Sequence, residues 1–181
     1  MSLKKKTFIV IIALVGAVFL ALSSYVIAKD NVTVKTINIP PPIEVNKFYI
    51  EKKPQKLKKA EIAILSANGK LHKYMVEIAV TGEQLRIGMM FRKYIEENTG
   101  MLFAFKGEAE RSFWMKNTLI PLDLLFIKND GVITHIHHMA KEGSLEPIRS
   151  NGKVAAVLEI AGGEAEILGI NIGDRVLYKD F

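Results

Sequence analysis

The chain has 181 residues, 49% of them apolar, which is enough for one domain with additions. It has no cysteine, which excludes disulfides, a cysteine nucleophile, thiolate metal sites and an acylated-cysteine lipid anchor. The net charge of +6 comes from the first third: residues 29–59 hold eight lysines against three acids, whereas residues 60–181 hold fourteen basic and sixteen acidic side chains, so no basic face for nucleic acid is expected on the folded part.

In chain order, Lys4, Lys5 and Lys6 precede an uncharged run from Phe8 to Ala28, closed by Lys29-Asp30. Twenty-one residues at about 1.5 Å each span roughly 31 Å, close to the hydrocarbon thickness of a bilayer. Two readings fit residues 1–28. One is a transmembrane anchor helix; the other is a signal peptide cut after Ala28, with Val26 and Ala28 as the small residues before the cut. Both leave the lysines in the cytoplasm and export the rest to the cell envelope.

Residues 29–59 read as a basic, proline-containing spacer. "IPPPIE" favours extended polyproline geometry, and the lysines suit the surface of an anionic membrane.

From residue 60 to 181 the pattern is that of a small, mainly β domain, barrel- or sandwich-like, with seven to nine strands and two short helices. "AEIAIL" and "KYMVEIAV" flank Asn68-Gly69, which predicts a type I′ hairpin with positive φ at both residues. Thr81 and Gln84 predict a capping box on a short helix. Gly88 weakens that helix, and close approach to a sheet is the expected return. "MLFAF", "RSFWMKNT", "LDLLFI", "VITHIHHMA" and "AAVLEI" follow as strands, with Asn129-Asp130-Gly131 as a turn. "GEAEILG" predicts a second helix stopped by Gly169, and "IGDRVLYKDF" a last turn and strand.

The chemistry-bearing residues concentrate in "RSFWMKNTLIPLD", which holds the sole tryptophan. As a strand, Arg111 to Thr118 would place Phe113, Met115 and Asn117 on one face and Trp114, Lys116 and Thr118 on the other. Trp114, Lys116, Asn117, Asp123 and Arg92 are the candidate ligand-binding set: an indole stacks on the apolar face of a sugar while amide, carboxylate and guanidinium groups bond its hydroxyls. The competing structural account pairs Arg92 with Asp123 or Glu159 and buries Trp114 in the core. His135 and His137 share a strand face and are a weaker metal candidate, with His72, Glu142 or Glu146 as a third ligand. Asp123 and Glu159 are a candidate carboxylate pair for glycoside chemistry. Ser66, Ser112, Ser144 and Ser150 lie in no nucleophile elbow, so no catalytic residue and no cofactor is assigned.

Five motifs stand in order: "GMMFR" (Gly88 to Arg92), "GMLFAF" (Gly100 to Phe105), "FWMKNTLIPLDLLFI" (Phe113 to Ile127), "VLEI" with the following "GG" (Val157 to Gly163) and "LGINIGD" (Leu168 to Asp174). Together they resemble the DUF192 family, also called UPF0127, of bacteria and archaea, over about Tyr74 to Tyr178. The resemblance implies a compact, mostly β fold, often exported or membrane-tethered, with no activity to carry over. Its motif residues map onto Gly88, Met90, Arg92, Gly100, Met101, Phe113, Trp114, Met115, Asn117, Pro121, Asp123 and Glu159. Many members carry an aromatic residue where Ile148 stands, so the resemblance assigns no role to residues 140–152.

The expectation is therefore an exported or membrane-tethered envelope domain that binds a small, carbohydrate-like ligand or a partner protein. The alternatives are an envelope hydrolase using carboxylates or a histidine-bound metal, and a purely structural interaction module.

Overall fold

The computed structural model describes residues 53–178. The expected anchor or signal helix and most of the spacer lie outside the described residues. Within them, no helix is long and apolar enough to cross a membrane.

Seven strands and two short helices follow one another: β1 (Lys59–Leu65), β2 (Leu71–Ala79), α1 (Gly82–Ile87), β3 (Thr99–Phe113), β4 (Leu122–Ile127), β5 (Ile133–Ala140), β6 (Ile148–Ala161), α2 (Glu164–Leu168) and β7 (Arg175–Tyr178). They form one sheet in the order β5-β4-β6-β3-β2-β1-β7. All strand pairs are antiparallel except β2 with β3, which α1 connects. The sheet curls into a half-barrel. Its curl brings β7 to the start of β5, where Val132 bridges Arg175 and the Ile133 N–H donates to the Asp174 carbonyl at 2.9 Å.

The expected barrel or sandwich is thus a single curled sheet with a hydrophobic cluster on each face. Inside the curl, Ile62, Ile64, Tyr74 and Val76 meet Leu125, Ile127, Leu158 and Ile160, with α2 adding Ala165. On the other face, Met101, Phe103, Leu124, Phe126 and Val157 pack beneath Met89 and Met115. The alternation of β-strand side chains sorts neighbours onto the two faces, so Leu158 and Ile160 join one cluster and Val157 the other.

Local signals explain several boundaries. Thr81 and Gln84 form the expected capping box, and Gly169 stops α2 with a left-handed backbone. Gly88 ends α1 at φ +50°, and a Cβ there would lie 3.0 Å from the Phe103 ring. The helix thus meets the sheet as expected, although Gly88 lies just past its end.

Three expectations are corrected. The hairpin after β1 is not type I′: Gly69 has positive φ but Asn68 does not. The Gly69 N–H donates to the Ser66 carbonyl at 2.8 Å, a three-residue loop with glycine in the left-handed position. "MLFAF" and "RSF" are one strand, β3, which runs on through register shifts between Ala104 and Ala109 and between Glu110 and Ser112. "WMKNT" is not strand. β3 ends at Phe113, and Asn117 turns the chain at φ +57°, a conformation that asparagine tolerates better than most residues. The expected alternation of side chains from Trp114 to Thr118 therefore does not occur.

Candidate functional site

Glu159 is the acid in the run Val154 to Ala161, "VAAVLEIA". It lies on β6, with Met101 of β3 and Leu124 of β4 directly beside it. Both neighbours are fully buried, and opposed residues of adjacent strands project to the same face. Glu159 is therefore set in an apolar floor, and the residue is only 5% exposed. Among the described residues no hydrogen bond reaches it. Burial pushes its pKa up to about 8, against the opposing pull of the Arg92 charge. That burial favours the neutral acid over the carboxylate.

Glu159 lines a cavity of about 420 Å³ between α1 with the segment that follows it and the C-terminal half of β3. Met89, Met90, Phe103 and Phe113 give it apolar walls, and Arg86, Glu110 and Arg111 add charge. The aromatic wall is fixed by edge-to-face contacts, with the Phe113 ring centroid 5.1 Å from Phe103 and 6.1 Å from Phe126. The Arg111 guanidinium lies 4.0 Å from the centre of the Phe105 ring.

Of the ligand-binding candidates, Trp114 lines this cavity and is 49% exposed. It does not fill the core. Lys116 Nζ lies 5.1 Å from the centre of the indole. Asn117 holds the roof: its carbonyl accepts from the Phe91 N–H at 2.9 Å, and its Nδ2 lies 3.8 Å from Met90 Sδ. These contacts tie the Trp114–Thr118 turn to the Met89–Met90 segment above Glu159.

Arg92 pairs with neither Asp123 nor Glu159. It grips Glu77 through both guanidinium nitrogens, at 3.1 and 2.9 Å, and donates to the Gln55 carbonyl. Gln55 in turn donates to the Gln84 and Gly88 carbonyls. The last stretch of the expected spacer is thereby laced to the end of α1.

Asp123 is on the other face of the sheet. It pairs with Ile160, whereas Leu124 pairs with Glu159, so Asp123 and Glu159 point in opposite directions. The carboxylate of Asp123 is fully buried and accepts three backbone N–H groups: Met139 at 2.8 Å, Gly163 at 3.0 Å and Ala165 at 3.0 Å. It fixes the turn into α2. The carboxylate pair for glycoside chemistry is not assembled.

His135 stacks on Phe126 with ring centroids 5.4 Å apart, and burial lowers its pKa first of all, with His137 and His138 adding to the fall. Among the described residues no three His, Cys, Asp or Glu side chains converge as a metal site requires, so His135 and His137 lack a third ligand there.

Sequence reasoning missed the position of Glu159 at the floor of a cavity and the parts played by Arg111, Phe103 and Phe113. A signal for Glu159 was present: a lone acid within a buried apolar strand is costly and calls for a reason.

Residues 63–178 match the family model DUF192, described as Uncharacterized ACR, COG1430. The chain belongs to the DUF192 family. Two solved structures are similar to this DUF192 chain. A crystal structure of a proposed transcription regulator from Sinorhizobium meliloti 1021 is 39% identical with a TM-score of 0.66, covering 68% of this chain and 95% of that one. A crystal structure of a protein of unknown function from Novosphingobium aromaticivorans is 34% identical with a TM-score of 0.65, covering 67% and 86%. No curated protein matches.

Proposed function

We propose that this DUF192 domain is a ligand-binding module of the cell envelope, exported or membrane-tethered through residues 1–28, whose cavity takes a small polar, carbohydrate-like molecule. The observation that carries this reading is a half-exposed tryptophan and a carboxyl with no protein hydrogen bond among the described residues, both lining one cavity. An indole offers a flat apolar face for a sugar ring, and the carboxyl gains a hydrogen bond when a ligand arrives. Arg92 and Glu77 line a separate cavity, Asn117 holds the turn that carries Trp114, and Asp123 supports α2 from the far side.

The hydrolase reading is weaker, because the second carboxyl it needs is turned to the opposite face. The S. meliloti relative is named as a proposed transcription regulator; nucleic-acid binding by this domain finds little support in its fourteen basic and sixteen acidic residues.

Trp114 is the sole tryptophan, so intrinsic fluorescence reports on the cavity directly. Titration of the full chain with glucose, glucuronate and glucosamine is expected to shift or quench this emission saturably for at least one of them. A Trp114→Ala variant that still binds with unchanged affinity by calorimetry refutes the stacking role. An absence of saturable binding by every sugar in a wider panel refutes the carbohydrate reading.

A further inference from the structure

We infer that the ligand of this cavity carries a carboxylate, held by Glu159 on the floor and by the positive charge of the Arg86 and Arg111 guanidiniums in the lining. This inference rests on the ligand cavity proposed above and names the class of molecule it takes.

The lining of the cavity is cationic. Arg111 lines it, with its guanidinium stacked on Phe105 and donating to the Gly107 carbonyl at 3.2 Å. Glu159 lines it at the floor with no hydrogen bond among the described residues. A neutral carboxyl donates through its O–H. The charged groups that face Glu159 are few. The flanking strands present Met101 and Leu124. The segment after α1 presents Arg92, whose guanidinium is already committed to Glu77. Arg86, Glu110 and Arg111 complete the charged lining. Two guanidiniums against one rim carboxylate favour an anion over a cation.

An ammonium ligand would share the cavity with Arg86 and Arg111 and would require Glu159 to ionise on its apolar floor. A neutral sugar would leave the guanidiniums without a counter-charge. A carboxylate accepts from Glu159 and pairs with Arg111, a charge-assisted arrangement stronger than a bond between neutral groups. Two carboxyls in contact share one proton, because the second charge is disfavoured beside the first. The bound acid therefore holds the Glu159 proton more firmly than the empty cavity does.

Proton linkage follows with a definite sign. Below the pKa of Glu159 in the empty cavity, about 8, the donor is already present and affinity is constant. Above it, binding takes up a proton, and affinity falls by about tenfold per pH unit. The ligand carboxylate, with a pKa near 3–4, and the arginines do not titrate in this range.

Calorimetry on the full chain with glucuronate, glucose and glucosamine, from pH 6.5 to 10, tests this. These sugars share a pyranose ring and differ mainly in one charged group. At pH 6.5 glucuronate is expected to bind at least about tenfold more tightly than glucose or glucosamine. Its affinity is expected to fall above pH 8, with proton uptake seen by repeating the titration in buffers of different ionisation enthalpy. Glu159→Gln keeps a donor without a titrating proton. Its affinity for glucuronate is expected to drop severalfold while losing the fall above pH 8. Glu159→Ala is expected to lose the preference for the acid.

Equal binding of glucose and glucuronate overturns the inference and leaves the carbohydrate cavity standing. So does tighter binding of glucosamine, or proton release instead of uptake. No binding of any of the three, or of a wider panel, overturns both. If the Glu159 variants fail to fold, the pH profile and proton uptake of the unaltered chain still decide.

Discussion

Two carboxylates of similar chemistry have opposite fates in this domain. Asp123 receives three backbone N–H groups, which hold it in place at the turn into α2. Glu159 receives none among the described residues, and burial raises its pKa to about 8. A buried acid with a raised pKa binds its proton more tightly folded than unfolded, so the stability it contributes is fully present below the unfolded value of 4.5 and is lost as pH rises to about 8. Across that window the loss is about 1.4 kcal/mol per pH unit. Urea denaturation at pH 5 and pH 8 is expected to show a decline in the ligand-free protein that is smaller in Glu159→Gln, where only Glu164, also raised by burial, still contributes. An equal decline in both proteins would place the titration elsewhere. The sequence displayed both acids plainly, and it suggested that they work together. It could not show which one the backbone would satisfy.

At the scale of elements, the floor of the cavity depends on how closely β3 and β6 approach. A Cβ on Gly100 would collide with the Glu159 carbonyl and stand 3.2 Å from the Ile160 side chain. The glycine thus fits β3 against the residue that carries the cavity carboxyl. Gly100→Ala is expected to cost about 1–3 kcal/mol by thermal or chemical denaturation and to disturb ligand-induced fluorescence at Trp114. A variant as stable as the parent would show that the two strands part without cost. Turns and caps at this scale were legible beforehand: the Thr81–Gln84 box, the Asn129–Gly131 turn and the Gly169 stop all depend on a few adjacent residues. The end of β3 was not. "FWMKNT" alternates like a strand, but its turn is held by distant partners, the Phe91 N–H on the Asn117 carbonyl and the Met115 N–H on the Ser144 carbonyl.

For the whole molecule, one buried carboxylate fixes the turn whose backbone closes the curl onto β5. Asp174 accepts from the Ser66 hydroxyl at 3.0 Å, the Ala67 N–H at 2.9 Å and the Asn171 N–H at 2.8 Å. Its carbonyl also receives the Ile133 N–H. It therefore joins the β1–β2 hairpin, the turn before β7 and the start of β5. Asp174→Ala leaves three donors without their partner and is expected to cost about 3 kcal/mol or more. Hydrogen exchange at Ala67 and Asn171 is expected to quicken more than exchange in β3 and β6. Uniform exchange across the sheet would show that closure is not a separate step.

The sequence by itself determined the mainly β character, the two helices and their caps, and membership of DUF192, because these follow from short-range pattern and from motifs in fixed order. It also marked residues 1–28 as an expected anchor or signal. Only the tertiary structure decided which polar residues meet. In a strand, a single step along the chain reverses the face, so the register of β4 against β6 sends Glu159 to the cavity and Asp123 to α2. That register is set by long-range pairing, and no stretch of sequence around either residue contains it.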